Sequence, residues 1–250
     1  MSQNYTPIYI ALRYLKGRKS GFLSFISSLA FVSTSLGVAV LIIVSSVMNG
    51  FEKELKERIL NVIPHASIYG LSPIQDWKQV ELNLREDANI EGISPYIETE
   101  ALIKSKSSVV GARINGVDSK KDKSVSVINE FIESGDLSEI EQGDKIILGY
   151  ILARKLNVGL GDKVSLLLPD SNASFAGYFP KSKTFQVGGI FNVGSKELDE
   201  VLAYISLENA ASLTGLKDKI HGFRIKYENL FDAPYLVWQS LIFAEKDLIN

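Results

Sequence analysis

The chain has 250 residues, 46% hydrophobic and 22% charged, with a net charge of −2. That mixture is too apolar for a disordered chain. No cysteine is present, so a disulfide framework, a thiolate metal site and a cysteine nucleophile are excluded. The two histidines, His65 and His221, lie 156 positions apart, which leaves no ligand spacing for a metal.

Charge is unevenly placed. Residues 1–50 carry Arg13, Lys16, Arg18 and Lys19 and no acid, so the remaining 200 residues hold all 29 acidic side chains. A basic end on an acidic body implies two environments. The acidic body argues against nucleic acid, whose phosphates favour a basic face.

Ile8, Ala11, Leu12 and Leu15 form one apolar helical stripe, with Arg13 and Lys16 off it. A basic amphipathic helix on the inner leaflet fits this pattern, as does a frayed terminus. Phe22 to Met48 is 27 residues without a charge. At about 1.5 Å per residue a helix of that length reaches roughly 40 Å, and a bilayer core is about 30 Å thick. A signal peptide has a shorter apolar core and a small-residue cleavage site, for which Val47-Met48-Asn49 is a poor match. The stretch therefore reads as a transmembrane helix. Four cations precede it, which places residues 1–21 in the cytoplasm and residues 49–250 in the periplasm. Small residues such as Ser33 and Gly37 lie four apart on one face. This suits packing against partner helices, and equally a lone anchor that tolerates serine.

Met48 to Val62 continues as a helix, with Glu52/Lys56, Lys53/Glu57 and Glu54/Arg58 as i,i+4 ion pairs, until Pro64 ends it. It can be a lever or a plain stalk. Beyond it, Ala66–Tyr69 reads as a strand and Ile74–Asn83 as a helix. A loop through Gly92 and Pro95 follows. Glu100–Lys104 and Val109–Gly116 read as paired strands across Ser105–Ser108. Lys145–Leu148 is a strand leading into a helix, Tyr150–Leu156, closed by Asn157 and Gly159. Strands are expected at Val164–Leu168, Phe185–Phe191, Ala203–Ile205 and Gly222–Tyr227, and helices at Glu208–Leu213 and over 233–248. Strands interspersed with short helices make an α+β body.

Pro169 to Ser182 separates two of these strands and is long for a hairpin loop. Its centre, Phe175-Ala176-Gly177-Tyr178-Phe179-Pro180, holds three aromatics. They suit a docking hot spot, and equally a satellite core folded back on the body. No phosphate loop, nucleophile elbow or dinucleotide fingerprint is present. The carboxylates Glu139, Glu141, Asp144, Glu197, Asp199 and Glu200 show no spacing that singles out an acid/base pair. No catalytic residue and no cofactor are therefore expected. His65, at a helix-to-strand corner, is expected to make a structural hydrogen bond.

Several separated stretches resemble one family, the membrane subunits of the bacterial lipoprotein-releasing ABC transporter, LolC and LolE. These are Ile10-Ala11-Leu12-Arg13-Tyr14-Leu15 and Ser46-Val47-Met48-Asn49-Gly50-Phe51-Glu52 with Leu55, Ile59-Leu60 and Pro64-His65-Ala66. Further on come Ile147-Leu148-Gly149 with Leu152-Ala153, Leu156 and Gly161-Asp162. Last is Phe185-x-Val187-x-Gly189-Ile190-Phe191 with Gly194, Glu197 and Asp199. The resemblance implies a two-lobed MacB-like periplasmic core domain, with an inner lobe at about 101–200 inserted in a flanking lobe of 49–100 and 201–250. It implies a non-enzymatic membrane subunit that works with a separate ABC ATPase, a second permease subunit of the same or related kind, a lipoprotein substrate, a periplasmic lipoprotein carrier and membrane lipid. Met48, Asn49 and Phe51 would line the lipoprotein path. The loop residues Phe175 to Pro180 would form the hook for the carrier, as in the LolC type. Family members have four spans and this chain shows one, so a fragment or a shortened gene product is expected. A membrane-anchored periplasmic adaptor or scaffold is the alternative, and a membrane-anchored enzyme a third reading.

Overall fold

The structure is a computed structural model that describes residues 9, 10, 13, 21–55, 64–168 and 181–248. Two compact units emerge, Met1–Leu55 and Lys56–Asn250. The first is dominated by one helix, α1, Gly21–Leu55. The expected continuation of that helix to Val62, and all four residues of the amphipathic stripe before it, lie outside the described residues.

The second unit is α+β. Its elements run β1 Ala66–Ile74, α2 Trp77–Leu84, β2 Ile90–Lys104, β3 Val109–Val117, α3 Ser119–Asp122, β4 Ile132–Gly135, β5 Lys145–Gly149, α4 Tyr150–Leu156, β6 Lys163–Leu168, β7 Lys181–Phe191, α5 Lys196–Asp199, β8 Leu202–Ser206, α6 Leu207–Thr214, β9 Ile220–Tyr227 and α7 Ala233–Leu248. Short 3₁₀ turns at Ile128–Phe131, Leu137–Glu141 and Leu230–Asp232 join some of them.

Strand pairing closes a ring. β2 pairs with β3, β3 with β8, β8 with β5, β5 with β7, β7 with β6, and β6 returns to β2. Six strands thus form a small barrel, narrow enough for side chains to fill. Alternation decides what points inward. Ile103, Ile114, Leu148, Leu166, Phe185 and Ala203 are all buried in one core, and cross-strand partners such as Val164 and Phe185 share that side. The opposite face of β5, β7 and β8 carries a second core of Ile147, Phe191 and Tyr204, roofed by Leu137 and Ile140 of the second 3₁₀ turn. Phe191 and Tyr204 meet edge-on at 5.8 Å, the geometry their ring quadrupoles favour.

β2 is long enough to serve two layers. Its second half belongs to the barrel, while its first half pairs with β9, which in turn pairs with β1. Helices α2 and α7 pack on that layer through Val80, Leu84 and Ala233. The loop expected through Gly92 and Pro95 is therefore strand. Gly92 is required because a side chain there would meet the Ser124 carbonyl oxygen at 2.3 Å, and Pro95 falls one residue before the pairing with β3 starts at Tyr96. Ile74, expected in a helix, instead ends β1, and Asp76 in a left-handed conformation separates the strand from α2.

The paired strands across Ser105–Ser108, the helix Tyr150–Leu156 and the helix from residue 233 lie where the periodicity puts them. Asn157 takes the left-handed conformation at φ 52° that closes α4. The hydroxyls of Ser107 and Ser108 donate to the α4 carbonyls of Leu156 and Lys155, at 3.3 and 2.8 Å. The β2–β3 turn thereby satisfies groups that a helix end leaves open.

α6 begins at Ser206, whose hydroxyl accepts from the Asn209 amide. It lies so close to β3 that a Cβ on Gly116 would sit 2.1 Å from the Cβ of Ala210. Gly116→Ala should therefore lower stability by about 1–3 kcal/mol, the usual cost of overpacking. Chemical denaturation of the full chain in detergent measures it, and an unchanged midpoint would contradict this packing.

Candidate functional site

Within α1, Phe25–Glu52 is a 28-residue stretch whose most apolar 18 residues have a mean hydropathy of 2.2, long and apolar enough to cross a membrane. Its large side chains, among them Phe25, Phe31, Leu36, Leu41 and Ile42, are all exposed. An apolar surface of this extent is not left to water, and in hydrocarbon a helix bonds its own backbone internally. Thr34 fits the same setting, since its hydroxyl donates to the Ala30 carbonyl at 2.9 Å. Met48 and Phe51 lie at the far end of the stretch, each 58% exposed, with Asn49 also exposed between them. Three residues apart on a helix, Met48 and Phe51 share a face.

The second candidate feature is the hairpin of β6 and β7. Its register runs from Lys163 opposite Gln186 to Leu168 opposite Lys181. The loop it carries, including Phe175, Ala176, Gly177, Tyr178, Phe179 and Pro180, lies outside the described residues. The hairpin base is held firmly. β6 is clamped by β2 through Leu102 and Leu167, and β7 by β5. Lys183 adds polar anchorage, with its ammonium 2.7 Å from Asp144 and donating at 2.6 Å to Asn209 Oδ1.

The six carboxylates named above have structural engagements. Glu139 pairs with Lys145, Glu200 with Lys155 and Asp144 with Lys183. Glu141 accepts from the Ser119 amide at 2.9 Å, and Glu197 accepts from the Ser195 hydroxyl. Asp199 is buried and accepts from the Val193 and Gly194 amides, both at 2.9 Å. Among the described residues no group of three or more His, Asp or Glu could hold a metal ion. His65 Nδ1 accepts from the Tyr227 amide at 3.3 Å, so its hydrogen bond ties the start of β1 to β9.

Two buried polar chains escaped the sequence reading. In one, Arg224 of β9 donates to Asn115 Oδ1 at 2.5 Å and lies 3.4 Å from Asp122 Oδ1. Asp122 is fully buried and its other oxygen has no hydrogen-bond partner among the described residues. Burial pushes its pKa up, against the pull of Arg224. In the other, Tyr227, Ser240 and Asp87 form a line of hydrogen bonds at 2.9 and 2.6 Å. Burial also opposes ionisation of Asp87, but donors from Ser240 and Asn89 outweigh it and hold the carboxyl below its usual range. The one signal in the sequence was Arg224 between Phe223 and Ile225 in the strand Ile220–Tyr227, whose other charge is Lys226.

Residues 27–231 match the MacB-like periplasmic core domain. The chain belongs to that family. LolC/LolE-like features extend over nearly all of it. It is 34% identical over 247 residues to the lipoprotein-releasing system transmembrane protein LolC of Neisseria meningitidis serogroup B, covering 96% of this chain and 59% of that one. The LolC protein of Xylella fastidiosa is 34% identical over 92% of this chain and 56% of its own. The LolE protein of Haemophilus influenzae is 33% identical over 92% and 57%. The chain thus spans a little over half the length of these curated relatives. Among solved structures, the periplasmic region of MacB from Actinobacillus actinomycetemcomitans superposes with a TM-score of 0.47 at 12% identity, over 72% of this chain and 84% of that one.

In the LolC/LolE-like motif at 147–162, Gly149, Gly161 and Asp162 serve the fold. Gly149 is needed where a side chain would strike the Asp199 carbonyl at 2.3 Å. Gly161 takes φ 82°, and Asp162 accepts from the Gly159 amide in the same turn. LolC and LolE relatives match with nearly equal identity, which leaves the subtype undivided.

Proposed function

We propose that this chain is a membrane subunit of an ABC transporter that extracts lipoproteins from the inner membrane and passes them to a periplasmic carrier. The observation that carries the proposal is the exposed apolar helix α1 in one chain with a MacB-like body. The names of the relatives, lipoprotein-releasing system transmembrane proteins, support the substrate class.

Orientation follows from charge. Arg13, Lys16, Arg18 and Lys19 keep the N-terminus in the cytoplasm, and residues 49–250 stand in the periplasm. ATP hydrolysis belongs to a separate subunit, and a second permease subunit completes the membrane part. Met48, Asn49 and Phe51 line the lipoprotein path at the outer end of the span. Extracting an acyl chain exposes about 0.8 kcal/mol per CH₂, so a continuous apolar route is needed, and apolar residues at its mouth supply part of one. The hook is the loop Phe175 to Pro180 on the β6–β7 hairpin, whose firm base suits a docking element. The division of the body into an inner lobe of about 101–200 within a flanking lobe of 49–100 and 201–250 belongs to this proposal. The barrel on one side and the β1–β9 layer on the other support it.

Photo-crosslinking tests the proposal. A photoreactive residue at Phe175, Tyr178 or Phe179 should give an adduct with a periplasmic lipoprotein carrier, and one at Met48 or Phe51 an adduct with a lipoprotein. Carrier adducts without any lipoprotein adduct would favour a tethered adaptor. Absence of carrier adducts from the folded chain would remove the hook.

A further inference from the structure

On α7 the ordinary pattern is inverted. Ser240 is fully buried, whereas Tyr235 and Trp238 are 69% and 72% exposed. Three positions apart, the two rings share a face. Phe231, in the 3₁₀ turn that opens the helix, is exposed as well. The opposite side of α7 packs on the core through Leu236, Val237 and Leu241. The roll is enforced: Tyr227 donates to Ser240, which donates to Asp87, so a buried polar chain holds the aromatic face outward. Large apolar side chains fixed in an exposed position mark a contact surface.

Two observations name lipid as what this face meets. The first is composition. From Leu230 to Leu241 the only charge is Asp232, so the face offers an ionic partner little to bind. Trp and Tyr, by contrast, are the side chains that settle at a bilayer boundary, with the ring in hydrocarbon and the polar tip among the headgroups. The Gln239 amide donates to the Tyr235 hydroxyl at 3.0 Å and completes such a polar tip. The second observation is tethering. α1 holds the chain at a membrane, and β1, against which α7 packs, begins eleven positions after Leu55. A chain of that length reaches at most about 40 Å. The bilayer surface is therefore present at an intramolecular concentration, an advantage that no diffusing partner shares. A weak second anchor suffices where a first is already in place.

We propose that α7 lies on the surface of the bilayer that α1 crosses, with Tyr235 and Trp238 seated at headgroup level. The inference needs α1 in hydrocarbon and holds whether or not the chain carries lipoproteins. With no cation on the face, the contact does not depend on anionic lipid.

The chain has two tryptophans and no cysteine, which supplies two independent reporters. Trp77→Phe leaves Trp238 alone. The full chain is reconstituted in phosphatidylcholine vesicles that carry nitroxide lipids, labelled either just below the headgroup or at the end of the acyl chain. The shallow label should quench Trp238 about twofold more than the deep one, because an interfacial helix sits roughly 5–10 Å into the boundary. The second reporter keeps both tryptophans and places a spin label on Tyr235→Cys. It should collide more often with oxygen, which concentrates in lipid, than with a water-soluble nickel chelate. Three results would overturn the proposal: Trp238 quenched by neither label, Trp238 quenched more by the deep label, or a Tyr235 spin label shielded from both reagents, the mark of contact with protein.

Discussion

Replacing Arg224 by alanine should cost about 3–5 kcal/mol at pH 7, because it leaves a buried carboxylate without its countercharge. Asp122 has no exposed surface, and one of its oxygens already lacks a partner among the described residues. The guanidinium supplies the other oxygen's partner, bonds Asn115 and covers the Tyr96 ring at 5.2 Å. Burial raises the Asp122 pKa even with Arg224 present, and without it the pKa climbs further. A carboxyl with a raised pKa holds its proton more tightly in the folded state than in the unfolded chain. Its favourable contribution is complete below the unfolded pKa of about 3.9 and is lost as pH rises through the folded value. The deficit of Arg224→Ala should therefore be largest at neutral pH and shrink towards pH 4. Adding Asp122→Asn should recover part of it at pH 7. Denaturant unfolding followed by tryptophan fluorescence at both pH values reads the effect. Equal deficits at pH 4 and pH 7 would show that the charge of Asp122 plays no part.

The second large effect is expected in α1. Val40 lies mid-span and is 50% exposed. An aspartate at the centre of a membrane helix costs about 2.5–3.5 kcal/mol on insertion, close to a hundredfold in the inserted fraction at about 1.4 kcal/mol per tenfold. Val40→Asp should shift the chain out of the alkali-resistant membrane fraction, whereas Val40→Leu should leave it there. A Val40→Asp chain that stays fully membrane-bound would mean that α1 does not sit in hydrocarbon.

How far the sequence could be read depended on the range of the interaction. The span, the helix Tyr150–Leu156 and the strands from Lys145 to Tyr227 are set by local periodicity and turn residues, and they were legible. The stretch through Gly92 and Pro95 was not. Those residues punctuate loops on local grounds, yet here the glycine makes room for the Ser124 carbonyl and the proline sits where a ladder begins. Ring closure of the barrel was also hidden, since the pairing of β6 with β2 joins residues more than sixty positions apart. Of the site, Met48 and Phe51 were readable as apolar residues at the end of a span. Asp122 and Arg224 were not, because 102 residues separate two groups that only folding brings together.

The most direct test is where the body stands. A single thiol at Leu160, half-exposed on the body, should react with a membrane-impermeant maleimide in intact spheroplasts, while one introduced at Tyr9 should react only after lysis. Labelling of Tyr9→Cys in intact cells with Leu160→Cys protected would contradict a periplasmic body behind a cytoplasmic N-terminus.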